Sequence, residues 1–229
     1  MTLTIGILEG GAVAPQFADY YSSFTESFQG FLNPDGDGPT LRPYRCYDGE
    51  FPEHGEACDG WLISGSASSV YDGHDWIAEL EAFTRHASQT RPLVGICYGH
   101  QLVAQAFGGT VHKAAGWGVG VHRHIISHPG TPVKYLDLLA SHQDQVMEAP
   151  AGATVLGGSE FCPIGAMTLG GNVLTIQNHP EMTKAFAAYL YGHRHEVIGE
   201  ATTVAALGSL KQSTNESAVR DWILDFLTR

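Results

Sequence analysis

The chain alternates short apolar runs with stretches whose apolar residues recur every three or four positions. LTIGIL at 3–8 has the look of a buried strand and runs into Gly10 and Gly11. Phe17, Tyr20, Tyr21, Phe24, Phe28 and Phe31 follow at helical steps, predicting a helix whose aromatic face lies on a sheet. A turn cluster, NPDGDGP at 33–39, separates it from a second strand, TLRPYRCYD at 40–48. GWLIS at 60–64 is a third strand, closed by the loop GSASSVYDG. Trp76, Ile77, Leu80 and Phe83 predict a helix over 75–88, and RPLVGI at 91–96 a fourth strand. Leu102, Val103, Ala106 and Phe107 give the next helix its buried face, with Gly108 and Gly109 suited to its C-terminal cap.

Strand and helix in alternation predict an α/β fold: a mostly parallel central sheet covered on both faces. From about 110 to 176 the pattern changes to short β segments, GTVHK, GVGVHRHIIS, ATVLGG, CPIGAMTL and NVLTIQ, which predict a few antiparallel strands added to the sheet. ESAVRDWILDFLTR at 216–229 reads as an amphipathic helix through Val219, Trp222, Ile223, Phe226 and Leu227. No linker or repeat divides the 229 residues, so residues 1–229 are expected to form a single domain.

Composition narrows the class. With 43% hydrophobic and 16% charged residues, the chain can bury a core of ordinary size. A formal charge of −12 opposes binding to nucleic acid or to an anionic membrane, and no apolar run is long enough to span a bilayer. The N-terminus has no basic region before its apolar stretch, which predicts a cytoplasmic protein. Cys46, Cys58, Cys97 and Cys162 form no C-x-x-C pair and are expected to be reduced.

One of the four stands apart. GICYGHQ, residues 95–101, puts Cys97 between two glycines where a strand pattern gives way to a helix pattern. Glycines there permit a sharp turn that lifts a nucleophile clear of the backbone, so the thiol is expected to face solvent. The helix starting just after Cys97 favours the thiolate through its dipole and free N–H groups. A second apolar strand, NVLTIQ, ends at NHPEM, 178–182. A histidine at that strand end can reach a neighbouring one, and a carboxylate two residues on can orient it. Cys97, His179 and Glu181 thus compose a candidate triad, with Pro180 fixing the backbone between the last two.

GICYGHQ, SGSASSVYD and IQNHPEM, in this order, resemble the three signature segments of class I (triad-type) glutamine amidotransferases, in particular the amidotransferase domain of GMP synthase and its free-standing relatives. The resemblance implies a flavodoxin-like sheet and a reaction in which Cys97 attacks a γ-carboxamide, His179 shuttles protons and Glu181 orients the histidine. It implies an oxyanion hole of backbone N–H groups near Gly65 and Ser66, joined by that of Tyr98. Gln101, Ser141, His142 and Gln143 match positions that line the substrate pocket, the last three on the loop SHQDQV. Ser66 and Ala67 stand where many relatives have Gly-Pro, and Gly118 where an acidic residue is commoner, which suggests room at the pocket edge for a bulkier leaving group.

The resemblance implies no cofactor and a small-molecule substrate, glutamine or a γ-glutamyl amide or peptide. Either the chain feeds ammonia to a separate synthase partner or it hydrolyses γ-glutamyl compounds alone; the third alternative is a silent binding module. GICYGHQ, SHQDQV and SSVYD are nearest to the free-standing forms. The HRH triplets at 122–124 and 193–195 raise metal binding as an alternative to a solvated strand face and a helix surface, and no metal site is assigned.

Overall fold

The computed structural model describes residues 3–229. Its framework is one sheet of nine strands: β1 (Thr4–Leu8), β2 (Thr40–Tyr44), β3 (Gly60–Ile63), β4 (Leu93–Ile96), β5 (Thr110–Ile126), β6 (Tyr135–Glu148), β7 (Ala153–Gly158), β8 (Ala166–Leu169) and β9 (Val173–Ile176). They lie in the order β2-β1-β3-β4-β9-β8-β7-β5-β6. The first five in that order are mutually parallel and the pairings beyond β9 are antiparallel.

Seven α-helices accompany the sheet: α1 (Phe24–Leu32), α2 (Asp75–Ala87), α3 (Tyr98–Ala106), α4 (Lys184–His193), α5 (His195–Ile198), α6 (Glu200–Ser209) and α7 (Glu216–Leu227). Strand side chains alternate between faces, and so do the cores they enter. Ile5, Ile7, Leu62, Val94 and Ile176 pack with Phe28 and Phe31 of α1 and Val219, Trp222 and Phe226 of α7. Leu8, Trp61, Ile63 and Leu93 pack on the opposite face with Ile77 and Leu80 of α2 and Leu102 and Val103 of α3. A third cluster joins Val119 and Leu139 to Ala187, Leu190, Tyr191 and Ala206 on the helices after β9. No helix among the described residues is long and apolar enough to cross a membrane.

Several local expectations are corrected. The aromatic stripe is not one helix. α1 starts only at Phe24 because Ser23 caps it, accepting the Glu26 N–H at 3.1 Å, while Glu26 reaches back to the Ser22 N–H at 2.5 Å. The S-x-x-E signature that stops the helix was already present in the sequence. Phe17 lies in a 3₁₀ turn and leaves the sheet for Phe186, Tyr189 and His193, at ring separations of 5.7, 5.9 and 5.3 Å. β2 ends at Tyr44, and Cys46–Asp48 form a 3₁₀ turn. GTVHK and GVGVHRHIIS join into the single strand β5, and SHQDQV is no loop but part of β6, paired to β5 across an irregularity between Lys113 and Gly118. Gly108 follows α3 at φ 88°, the left-handed conformation its place at the helix end suggested.

Candidate active site

β3, β4 and β9 are adjacent and parallel, so the chain leaves all three at the same edge of the sheet. That edge brings together Gly65 and Ser66 after β3, Cys97 after β4 and His179 after β9. The Cys97 N–H donates to the Ile176 carbonyl at 2.9 Å, tying the β4 turn to the end of β9.

Cys97 is the N-cap of α3 and, among the described residues, the one non-glycine with positive φ (53°, ψ −100°). Such a conformation costs a non-glycine residue about 1–3 kcal/mol. Its flanking glycines are demanded by packing. A Cβ on Gly95 would stand 2.5 Å from the Gly99 carbonyl oxygen, and one on Gly99 would stand 2.5 Å from the Ile63 carbonyl oxygen. The strand, the turn and the helix therefore approach at backbone distance. The thiol does not face solvent as expected: Cys97 is only 5% exposed, and the buried Gln177 amide at the end of β9 lies against its sulfur.

His179 and Glu181 are also buried, with His179 Nδ1 2.7 Å from Glu181 Oε1. The His179 N–H donates to the Leu139 carbonyl at 2.8 Å, so β6 fixes the turn as well. Burial disfavours charge on the imidazole, but the negative charges and hydrogen bonding of Cys97 and Glu181 outweigh it and raise the His179 pKa well above the ordinary histidine value. That leaves a nitrogen able to hold a proton beside a sulfur. Glu181 Oε2 is buried without a partner.

The loop after β3 touches this pair. A Cβ on Gly65 would lie 3.2 Å from His179 Cε1, so glycine lets the loop lie against the imidazole. The Ser66 hydroxyl donates to the Gly10 carbonyl at 2.6 Å and accepts the Ser68 N–H at 3.0 Å, tying the loop to the end of β1. Tyr98 occupies the first position of α3, where an N–H has no partner within the helix. A cavity of about 110 Å³ opens over the loop, bordered by Gly65, Ser66, Ala67, Ser141, His179 and Glu181, with apolar walls from Phe17, Phe24 and Phe186 and with Arg194 on its lining.

The other sequence candidates are placed differently. Ser141 borders the cavity, whereas Gln101, His142 and Gln143 do not. The Gln101 amide donates to the Asp144 carbonyl at 2.8 Å and to Gln177 Oε1 at 3.2 Å. His142 is buried against Phe161, its Nδ1 3.1 Å from the Asp144 carbonyl, and burial lowers its pKa to about 3. Gly118 opens no pocket edge: it is buried, and a Cβ there would meet His142 Nε2 at 2.7 Å, so the missing side chain makes room for the protein's own ring. His124 is fully buried rather than on a solvated face, and among the described residues no cluster of His, Cys, Asp and Glu is arranged to hold a metal.

Two residues escaped the sequence reading. Gln177 is fully buried at the end of β9 and donates to the Cys97 sulfur at 3.6 Å while accepting from Gln101. Its signal was a polar side chain closing an apolar strand. Arg194 sits between two histidines that drew attention as possible metal ligands, and only the packing of α4 brings it to the cavity.

Residues 16–188 match the model of the glutamine amidotransferase class-I family. Gamma-glutamyl peptidase 3 of Arabidopsis thaliana is 27% identical over 226 residues, spanning 93% of this chain and 87% of that protein. A glutamine-hydrolysing GMP synthase of Azoarcus sp. is 33% identical over 155 residues, spanning 61% of this chain but 29% of the synthase. The crystal structure of a glutamine amidotransferase from Thermotoga maritima superimposes over the whole of both chains with a TM-score of 0.79 at 13% identity, a likeness of fold.

Proposed function

Because the chain belongs to the class-I glutamine amidotransferase family, we propose that it hydrolyses the γ-glutamyl amide bond of glutamine or of a γ-glutamyl compound through Cys97, His179 and Glu181. The observation that carries this reading is the meeting of a strained cysteine, a histidine of raised pKa and a carboxylate 2.7 Å from that histidine at one edge of the sheet. The Cys97 sulfur attacks the γ-carbonyl carbon, and the electron pair of the C=O bond moves to oxygen. In this reading the N–H groups of Gly65, Ser66 and Tyr98 receive that oxyanion. His179 gives its proton to the nitrogen as the C–N bond breaks, leaving a glutamyl thioester and a free amine or ammonia. Water, deprotonated by His179, then attacks the thioester and releases glutamate and the thiolate. Glu181 holds the ring through Nδ1 and stabilises the imidazolium.

Action by the chain alone is favoured over service to a synthase. The support is the gamma-glutamyl peptidase match, which runs through 93% of this chain and 87% of that protein. A silent binding role leaves the strain at Cys97 without a purpose. The test is turnover by the purified chain against glutamine and a panel of γ-glutamyl amides and peptides, with Cys97→Ala as control. At least one compound is expected to turn over at roughly 1–10³ s⁻¹, and Cys97→Ala to turn over none. A panel that is inert until a second protein is added would sink the stand-alone reading, and full activity in Cys97→Ala would remove the thiol from the mechanism.

A further inference from the structure

Arg194 is an arginine without an anion. Of the eight arginines, Arg45, Arg85, Arg123, Arg220 and Arg229 each pair with a carboxylate; Arg42, Arg91 and Arg194 do not, and of these three only Arg194 borders the cavity beside His179. Among the described residues the Arg194 side chain makes no ion pair and no hydrogen bond, although it is largely shielded from solvent and borders the cavity over the Gly65 loop. Burial lowers its pKa, and the charge of Cys97 partly offsets this. Its nitrogens are not among the buried unpartnered atoms, so they are open to water, and a planar five-donor cation on an apolar wall is a ready partner for a carboxylate that enters there.

Geometry indicates which part of a substrate carries that anion. The departing nitrogen takes its proton from His179, so the leaving group lies on the histidine's side of the nucleophile. The cavity borders His179, Glu181 and the Gly65–Ser66 turn, whereas Cys97 is not part of its lining. A second cavity of about 540 Å³ also reaches His179 and Glu181, but it does not touch the Gly65 loop. The first cavity is therefore the one that joins the oxyanion donors to the proton donor. Its walls are apolar, from Phe17, Phe24, Phe186 and Leu190, with the Arg194 cation among them.

We propose that this cavity receives the leaving group and that Arg194 binds a carboxylate on it, so that the preferred substrates are γ-glutamyl derivatives of apolar amino acids or peptides rather than glutamine. The inference rests on the hydrolytic reading above and deepens it. Ammonia, the leaving group of glutamine, fills neither the apolar walls nor the guanidinium.

The experiment compares kcat/KM for γ-glutamyl-phenylalanine with that for its C-terminal carboxamide, in the wild-type chain, Arg194→Met and Arg194→Lys, with melting midpoints to confirm folding. The wild type is expected to prefer the acid. Arg194→Met should reduce the acid-to-amide ratio about tenfold to a hundredfold, chiefly through KM, and Arg194→Lys should restore part of it. A parallel titration measures the Kd of γ-glutamyl-phenylalanine for Cys97→Ala with and without Arg194→Met, and a weakening by a similar factor is expected. Equal losses on acid and amide would mean that Arg194 meets the glutamyl α-carboxylate common to both, and would overturn the assignment. So would an unchanged ratio or an unchanged Kd. Arg194-dependent binding without turnover of any γ-glutamyl compound would count against the hydrolytic reading alone.

Discussion

Cys97, His179 and Glu181 carry the proposed chemistry, but each is set by groups outside the triplet. The raised pKa of His179 depends on the negative charges of Cys97 and Glu181 overcoming burial. Glu181→Gln keeps the shape and removes one of those charges, so the His179 pKa moves down towards its ordinary value. The alkaline limb of the kcat–pH profile, where the imidazolium is lost, should therefore shift to lower pH. The accompanying loss in kcat should be smaller than the roughly 10⁴-fold seen for the comparable change in a serine triad, because a thiol is more acidic than a hydroxyl. A profile with an unmoved alkaline limb would remove Glu181 from the mechanism. Gln177 has a subtler part, since its amide holds the Cys97 sulfur at 3.6 Å and is itself held by Gln101. Gln177→Met removes the donor at similar volume. It is expected to slow labelling of Cys97 by a glutamine-like electrophile about tenfold, with little change in melting midpoint. Equal labelling rates would reduce Gln177 to packing.

Between elements, the decisive contact is the crossing of α3 over the ends of β3 and β4. Gly95 and Gly99 allow backbone to meet backbone there, and a Cβ on Gly99 would also come within 2.8 Å of Ile63 Cβ. No flexible side chain can give way, because the nearest atoms belong to buried β3. Gly99→Ala should therefore destabilise the fold by about 1–3 kcal/mol, the usual effect of overpacking, and displace Cys97 from the Gly65 loop. Denaturant midpoints measure the first effect and residual turnover the second. A variant as stable and as active as the wild type would mean that the close approach is unimportant.

Across the whole molecule, three buried histidines give stability a pH dependence. Desolvation is the main cause that lowers the pKa of His100 to about 3, His124 to about 4 and His142 to about 3, from 6.5. Below pH 6.5 the unfolded chain binds protons that the folded chain refuses, so stability falls as pH drops from about 6.5 towards 4. Each such group contributes up to about 1.4 kcal/mol per pH unit. His179 acts with the opposite sign. Its folded pKa is raised, so its contribution is complete below 6.5 and is lost as pH rises through the raised value. Stability is expected to peak near pH 6.5. Urea midpoints across pH check this, and His100→Gln should flatten the acid limb by about one proton's worth. An acid limb unchanged in that variant would show that His100 does not contribute to it.

What the sequence determined by itself was whatever depends on neighbours in the chain. The alternation of apolar runs marked β1, β3, β4, β9, α2, α3 and α7, and GICYGHQ announced a strand-to-helix turn, because periodicity and glycine placement are local properties. The S-x-x-E cap at Ser23 was equally local and was hidden only by the aromatic stripe that ran past it. Tertiary structure alone decided the rest. It made SHQDQV part of a strand, because β5 offered the pairing, and turned Gln101, His142 and Gln143 away from the cavity. It covered Cys97, since exposure depends on what neighbouring strands do. It also carried Gln177 to the sulfur and Arg194 to the cavity, because the partners of a buried polar group are supplied by strands and helices distant in sequence, and no spacing along the chain encodes them.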